Sequence, residues 1–373
     1  MTDVAATTTA PVRKKRVPFW DNARFACIAL VVVGHAIERL TSDSDYAYTL
    51  YIFIYAFHMP AFAMISGYFS KASPPTTRQM KKLLTDIVLP YVIMQAIWTA
   101  VQFLVEGSSS LNPTTPHWTL WFLLALGIFR VVLPYLVLLR QPLLWAIIAS
   151  VGVGYLANVD STFSLSRAIG ILPFFLLGWK VRQWGIVDRW RLVEAQTWWI
   201  RGSAIVVLVL WLGVAFLFSD FWRSFNLGSW FFYDDSYSGL GEPVWWAGIV
   251  RLAIIALGIV LCAAFFVLIP RRKSWMTAFG QSTMYVYLLH SFILYPIRQS
   301  GFLKDEHASW PYLLAMIVIA VLIAILLSTT AVRRIFHWVI EPKPRWLFID
   351  TADDAKTSRR DPTGSRRDAP DSR

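Results

Sequence analysis

Cysteine and charge are what this chain has least of. It holds 2 cysteines in 373 residues, and 16% of its residues are charged. Cys27 and Cys262 both fall inside long apolar runs, which excludes a disulfide framework. Polar stretches long enough to build a soluble domain are missing, and no repeat of solenoid period recurs. There is no Walker loop, dinucleotide fingerprint, zinc-ligand spacing or G-x-S-x-G elbow, so no metal site is expected. A cleavable signal is not read either. Arg13, Lys14, Lys15 and Arg16 lead straight into a full-length apolar run, with no small-residue cleavage site after a short core.

Apolar sequence, by contrast, is abundant: 56% of residues are hydrophobic and 16% aromatic. Runs of about 20 residues keep returning, each long enough to cross a bilayer core of about 30 Å. They predict an all-α, polytopic integral membrane helical bundle of about ten transmembrane helices, near 19–40, 46–69, 83–105, 119–139, 143–158, 168–183, 200–218, 244–268, 281–298 and 310–332. The transmembrane domain is then 19–345, between disordered, cytoplasmic segments at 1–18 and 346–373. The net charge of +12 does not indicate nucleic acid, because the bases sit in short loops between spans. Lys71, Arg78, Lys81 and Lys82, then Arg140, then Arg271, Arg272 and Lys273 alternate with loops carrying Asp43, Asp45, Glu106, Asp160 and Glu242. The positive-inside rule puts both termini in the cytoplasm of a multi-pass plasma-membrane protein, with the lipid bilayer as its first partner.

The first apolar segment carries two residues that hydrocarbon does not tolerate without cause, Arg24 and His35. Eleven positions apart, they lie roughly 16 Å apart along a helix and leave the same face. Arg24 is expected near the cytoplasmic surface and His35 beyond the midplane. The plainer reading is a snorkelling arginine and a histidine bonded to a neighbouring helix. Glu38, at i+3 from His35, is placed to orient the imidazole or to pair with Arg39. In the second segment His58 precedes Pro60, which lacks an N–H and frees the carbonyl near Ala56, predicting a kink beside the imidazole. His58 is then a base, an orienter, a donor or simply a structural histidine, and His290 faces the same alternatives. Ser66 and Gly67 permit close backbone approach. Asp234 and Asp235 lie in the predicted external loop Ser219–Pro243, whose aromatic rings and acids suit a sugar or, equally, an interfacial aromatic belt.

The string Asp21-Asn22-Ala23-Arg24 followed by Gly34-His35 resembles the R-x10-H signature of the membrane-bound acyltransferase-3 family. Phe57-His58-Met59-Pro60-Ala61-Phe62 with Ile65-Ser66-Gly67-Tyr68-Phe69 is similar to a block of its fucose 4-O-acetylase-like branch. Trp121-Phe122-Leu123, Pro173-Phe174-Phe175-Leu176-Leu177-Gly178 and Tyr287-Leu288-Leu289-His290 follow in the family's order. The resemblance implies an O-acyltransferase, most simply an acetyltransferase, that moves an acyl group from cytosolic acyl-CoA (acetyl-CoA) to a hydroxyl of an envelope sugar, polysaccharide or glycolipid. Histidine suits the base, because its reference pKa of about 6.5 leaves an accepting nitrogen at physiological pH. On this reading His35, Arg24, His58 and Glu38 are catalytic, and Arg24, Asp21, Arg78 and Lys81 hold the donor. Ser66, Arg167, Asp234, Asp235 and His290 contact substrate. Arg78-Gln79-Met80-Lys81 departs from the family's RxxR element by its lysine. A transporter or flippase of an envelope glycolipid is the rival of another class, since intramembrane Arg and His and broken helices suit one too. A scaffold without activity is the third reading.

Overall fold

The computed structural model describes residues 16–107, 112–159, 162–193, 197–242, 244–299 and 309–348. The expected tails up to residue 15 and from residue 349, and the loop residue Asp160, lie outside these. Among the described residues every regular element is helical. In order these are α1 (Pro18–Ile37), α2 (Asp45–Tyr55), α3 (His58–Phe69), α4 (Thr77–Leu83), α5 (Leu89–Glu106), α6 (Trp121–Leu136), α7 (Pro142–Val153) and α8 (Leu165–Gln183). Then come α9 (Ile186–Leu192), α10 (Trp198–Leu217), α11 (Ser219–Ser224), α12 (Leu227–Phe232), α13 (Ala247–Leu268), α14 (Thr283–Gln299), α15 (Trp310–Leu327) and α16 (Thr330–Ile340).

By length and composition, 6 helical segments can cross a membrane: Asp45–Phe69, Thr77–Glu106, Thr162–Gln183, Trp198–Leu217, Ala247–Leu268 and Trp310–Leu327. The chain is a helical membrane protein. Each expected span overlaps a helix, but the expected count of about ten is not reached: α1, α6, α7 and α14 are not among the six, and α6 and α7 are shorter apolar helices. Helix α10 is apolar all round and buries only Ala204, Trp211 and Ala215. A helix of that kind turns its remaining faces to lipid.

The break beside Pro60 is where the missing N–H requires it. Helix α2 ends at Tyr55, and Phe57 leaves helical geometry at φ −142°, ψ −16° before α3 restarts at His58. Beside the break, the Phe57 carbonyl accepts from the Ala61 N–H at 2.8 Å and from Cys262 Sγ at 3.5 Å. The expected external loop after Ser219 is instead largely built of two short helices, α11 and α12. Four of its rings are core: Trp230, Phe231, Tyr233 and Tyr237 are buried, three of them around the guanidinium of Arg251, while Phe221 is exposed.

Helices α3 and α8 touch backbone to backbone. A methyl group at Gly67 would stand 1.8 Å from the Phe175 carbonyl oxygen, and one at Gly178 would stand 2.0 Å from that of Met64. In lipid, where apolar surface gives no drive to associate, such small-residue contacts are how helices gain dispersion. Near the start of α1, Asn22 uses its whole side-chain amide. Its nitrogen donates to the carbonyls of Pro270 (2.8 Å) and Arg272 (3.0 Å), and its oxygen accepts from Ser274 (2.9 Å) and Thr277 (2.6 Å). The segment between α13 and α14 is thereby fixed to the Arg24 end of α1.

Gly67→Ala forces the two backbones apart, and overpacking of this severity costs about 3 kcal/mol or more. The expected result is a fall in the midpoint of detergent-solubilised thermal unfolding, larger than for Gly202→Ala, whose added methyl meets nothing within 4 Å.

Candidate functional site

His35 and His58 face one cavity of about 350 Å³, together with Glu38, Tyr55, Arg167 and Asp234. His35 reaches it two residues before the end of α1, and His58 at the start of α3, just after the break at Phe57. The His35 Nδ1 atom lies 3.3 Å from the Tyr55 hydroxyl and 3.5 Å from Glu38 Oε2. Glu38 is also 3.2 Å from Arg298, so the sequence-expected Arg39 pairing is replaced by one with α14. With Nδ1 engaged, Nε2 is the free nitrogen of His35. His58 donates from Nδ1 to the Ile54 carbonyl at 2.9 Å, which leaves its Nε2 as an acceptor. Arg167 and Asp234, from α8 and the segment after α12, pair at 2.6 Å on the far wall, with Trp121 and Phe232 flanking the guanidinium.

Arg24 stands elsewhere. It lines a separate cavity of about 480 Å³ with Ser66, Gln79, Lys71, Lys82 and Arg130. Asp21 Oδ1 is 3.4 Å from its guanidinium, and the Phe69 ring lies 4.5 Å beneath it. Three expectations change as a result. Arg24 cannot touch a group reacting at His35, because 11 helical positions separate them by about 16 Å. Ser66 belongs to the Arg24 cavity, not to the histidine cavity. Arg78 and Lys81 are not among the residues that line the Arg24 cavity, whereas their α4 neighbours Gln79, Met80, Lys82 and Leu83 are.

Two substrate-contact expectations also change. His290 is fully buried, bonds the Val286 carbonyl through Nδ1 at 2.9 Å and packs its ring 5.5 Å from that of His35 without lining the cavity. Asp235 is exposed, outside the cavity that holds Asp234. Partial burial, then the adjacent Asp234 carboxylate, raises its pKa.

The sequence reading did not single out the segment 112–120, which dips back between α5 and α14. Gln95 in mid-α5 donates to the carbonyls of Asn112 (2.9 Å) and Thr115 (2.8 Å) and accepts from the His117 N–H (3.0 Å). Tyr91 adds a bond to the Pro113 carbonyl at 2.7 Å. Trp118, held at φ +36°, lies against His35 at 5.3 Å between ring centroids and under Arg298. Non-helical backbone at this depth persists only when protein satisfies it. A glutamine in the middle of an apolar span was the available signal.

With this geometry in hand, comparison with known proteins assigns the class. A family model described as an acyltransferase domain matches residues 17–329, and the chain belongs to this acyltransferase-3 family. It is 28% identical over 178 residues to "Nodulation protein NolL" of Mesorhizobium japonicum, a stretch covering 44% of this chain and 47% of that protein. The chain thus spans about half the length of this curated relative. No solved structure matches it.

Gln95→Leu leaves two carbonyls and one N–H unpaired, each costing about 1–3 kcal/mol when buried. A Thr115→Cys thiol is expected to label at least about tenfold faster in the Gln95→Leu background than with Gln95 intact.

Proposed function

We propose that this protein is a plasma-membrane O-acyltransferase that takes its acyl group, most simply acetyl, from cytosolic acyl-CoA. The acceptor is a hydroxyl of an envelope sugar, polysaccharide or glycolipid. One observation carries the reading: two histidines with accepting Nε2 atoms face the same cavity, and one of them is held by a carboxylate. A carboxylate–imidazole pair is the arrangement that general-base chemistry needs.

In this mechanism Glu38 accepts the Nδ1 proton of His35 as a hydrogen bond and fixes the tautomer. His35 Nε2 removes the acceptor hydroxyl proton as that oxygen attacks the thioester carbonyl carbon. The tetrahedral intermediate collapses with cleavage of the carbon–sulfur bond, and the proton passes from His35 to the departing thiolate. His58 orients the acceptor hydroxyl, and the Arg167–Asp234 pair meets the acceptor's other hydroxyls. Arg24, with Lys71, Lys82 and Arg130 around the same cavity, holds the phosphates of the donor. Arg24 is therefore a donor-binding group only.

The test compares envelope lipids and glycans by mass spectrometry from a strain lacking the gene, complemented with wild type or with His35→Ala at equal membrane abundance. One species is expected to lose the mass of an acyl group in the variant, a drop in transfer of about 10²–10⁴-fold. Identical profiles, with both genes rescuing the deletion, reject His35 as base and favour transport. Glu38→Gln is expected to lower turnover with the donor KM unchanged, whereas Arg24→Gln raises the donor KM.

A further inference from the structure

The Arg24 cavity and the histidine cavity are not isolated from one another. A third cavity of about 410 Å³ adjoins both, with an apolar wall of Val31, Phe122, Leu123 and Leu126 and with Asp86, Arg130, Glu341 and Lys343 also lining it. It shares Phe62, Asp86, Arg130 and Thr283 with the Arg24 cavity and Met59 with the histidine cavity. The α1 residues Arg24, Val31 and His35 line the three cavities in that order.

Helix α3 explains the continuity. Its residues are buried except Met59, Phe62, Ser66 and Phe69, which follow one another at i, i+3, i+7 and i+10. That spacing is a single stripe of the helix. Each residue of the stripe lines at least one of the cavities, and they do so in sequence. The stripe is the floor of one passage, and two side chains rise across it. Phe62 is braced by Phe122, at 5.8 Å between ring centroids. Met59 lines both the middle cavity and the histidine cavity. It sits one residue into α3, beside the helix break, and its unbranched thioether can change rotamer without moving a helix.

Resting on the donor reading above, we propose that Met59 is the gate between the apolar middle cavity and the histidine cavity, and that it limits the acyl chain that reaches His35. A donor anchored by its phosphates near Arg24 extends its thioester arm past Phe62 and delivers the acyl carbonyl past Met59. The gate admits a short acyl group and leaves a longer one behind in the apolar cavity. Met59 is a specificity residue on this account and takes no part in proton transfer.

The experiment supplies acetyl-CoA, butanoyl-CoA and octanoyl-CoA to membranes carrying wild type, Met59→Ala, Met59→Leu or Met59→Trp at equal abundance. Endogenous envelope acceptors from the deletion strain are present, and acyl mass increments are read by mass spectrometry. Wild type and Met59→Leu are expected to favour acetyl. Met59→Ala, which removes the side chain beyond Cβ, is expected to raise the octanoyl-to-acetyl ratio at least about tenfold. Met59→Trp is expected to stop transfer of all three, while coenzyme A still protects a Ser73→Cys thiol in the Arg24 cavity from labelling, a readout that an unfolded variant would lose. Unchanged ratios in Met59→Ala together with full turnover in Met59→Trp overturn the gate and leave the donor reading standing. A wild type that transfers none of the three, with no protection of Ser73→Cys by coenzyme A, overturns the donor reading and the gate together.

Discussion

The backbone contact between α3 and α8 is the constraint on which the site depends. Gly67 meets the Phe175 carbonyl and Gly178 meets that of Met64, so each helix offers a missing side chain to the other's main chain. With α8 this close, one side of α3 is closed along its whole length, and the opposite side is left to line the cavities. The same contact sets the height of α8, which carries Arg167 to the histidine cavity at its first turn. Tight packing at two glycines thus determines where an arginine stands several turns away.

Charge is divided between the two ends of this passage in a way that suits the bilayer. Arg24, Lys71, Lys82 and Arg130 surround the first cavity, with Asp86 as its acid. Around the histidines each charged group has a counter-charge at hand: Glu38 with Arg298, and Asp234 with Arg167. An unpaired ion in hydrocarbon is costly, and the histidine cavity carries its charges as pairs, whereas the Arg24 cavity keeps an excess of cations. Arg251 is the exception. It is buried without a carboxylate partner among the described residues and is held by the faces of three aromatic rings.

Much of this was legible in the sequence, and the rest was hidden for a physical reason. The common face of Arg24 and His35 follows from helical periodicity, and the break at Ala56–Phe57 follows from a proline's missing donor. Both are local facts. Periodicity does not tell how far along one face a cavity extends, so Arg24 and His35 were read as one site when they belong to two. Pairings across long separations were equally out of reach. Arg167 and Asp234 were each noted but not joined, and the fourfold bonding of Asn22 to residues some 250 positions away leaves no local trace. His290 shows the converse, a conspicuous polar residue that spends its hydrogen bond on its own helix.

The segment 112–120 is fastened through its main chain. Gln95 grips carbonyls and an N–H, which every residue type but proline supplies equally, and Tyr91 grips another carbonyl. Anchorage and contact surface are therefore separable in this wall. Side chains such as Thr115 and Trp118, which face the histidine cavity, can be exchanged while the clasp holds. A cavity wall built this way can be reshaped by rewriting a few residues, without disturbing the helices that hold its histidines.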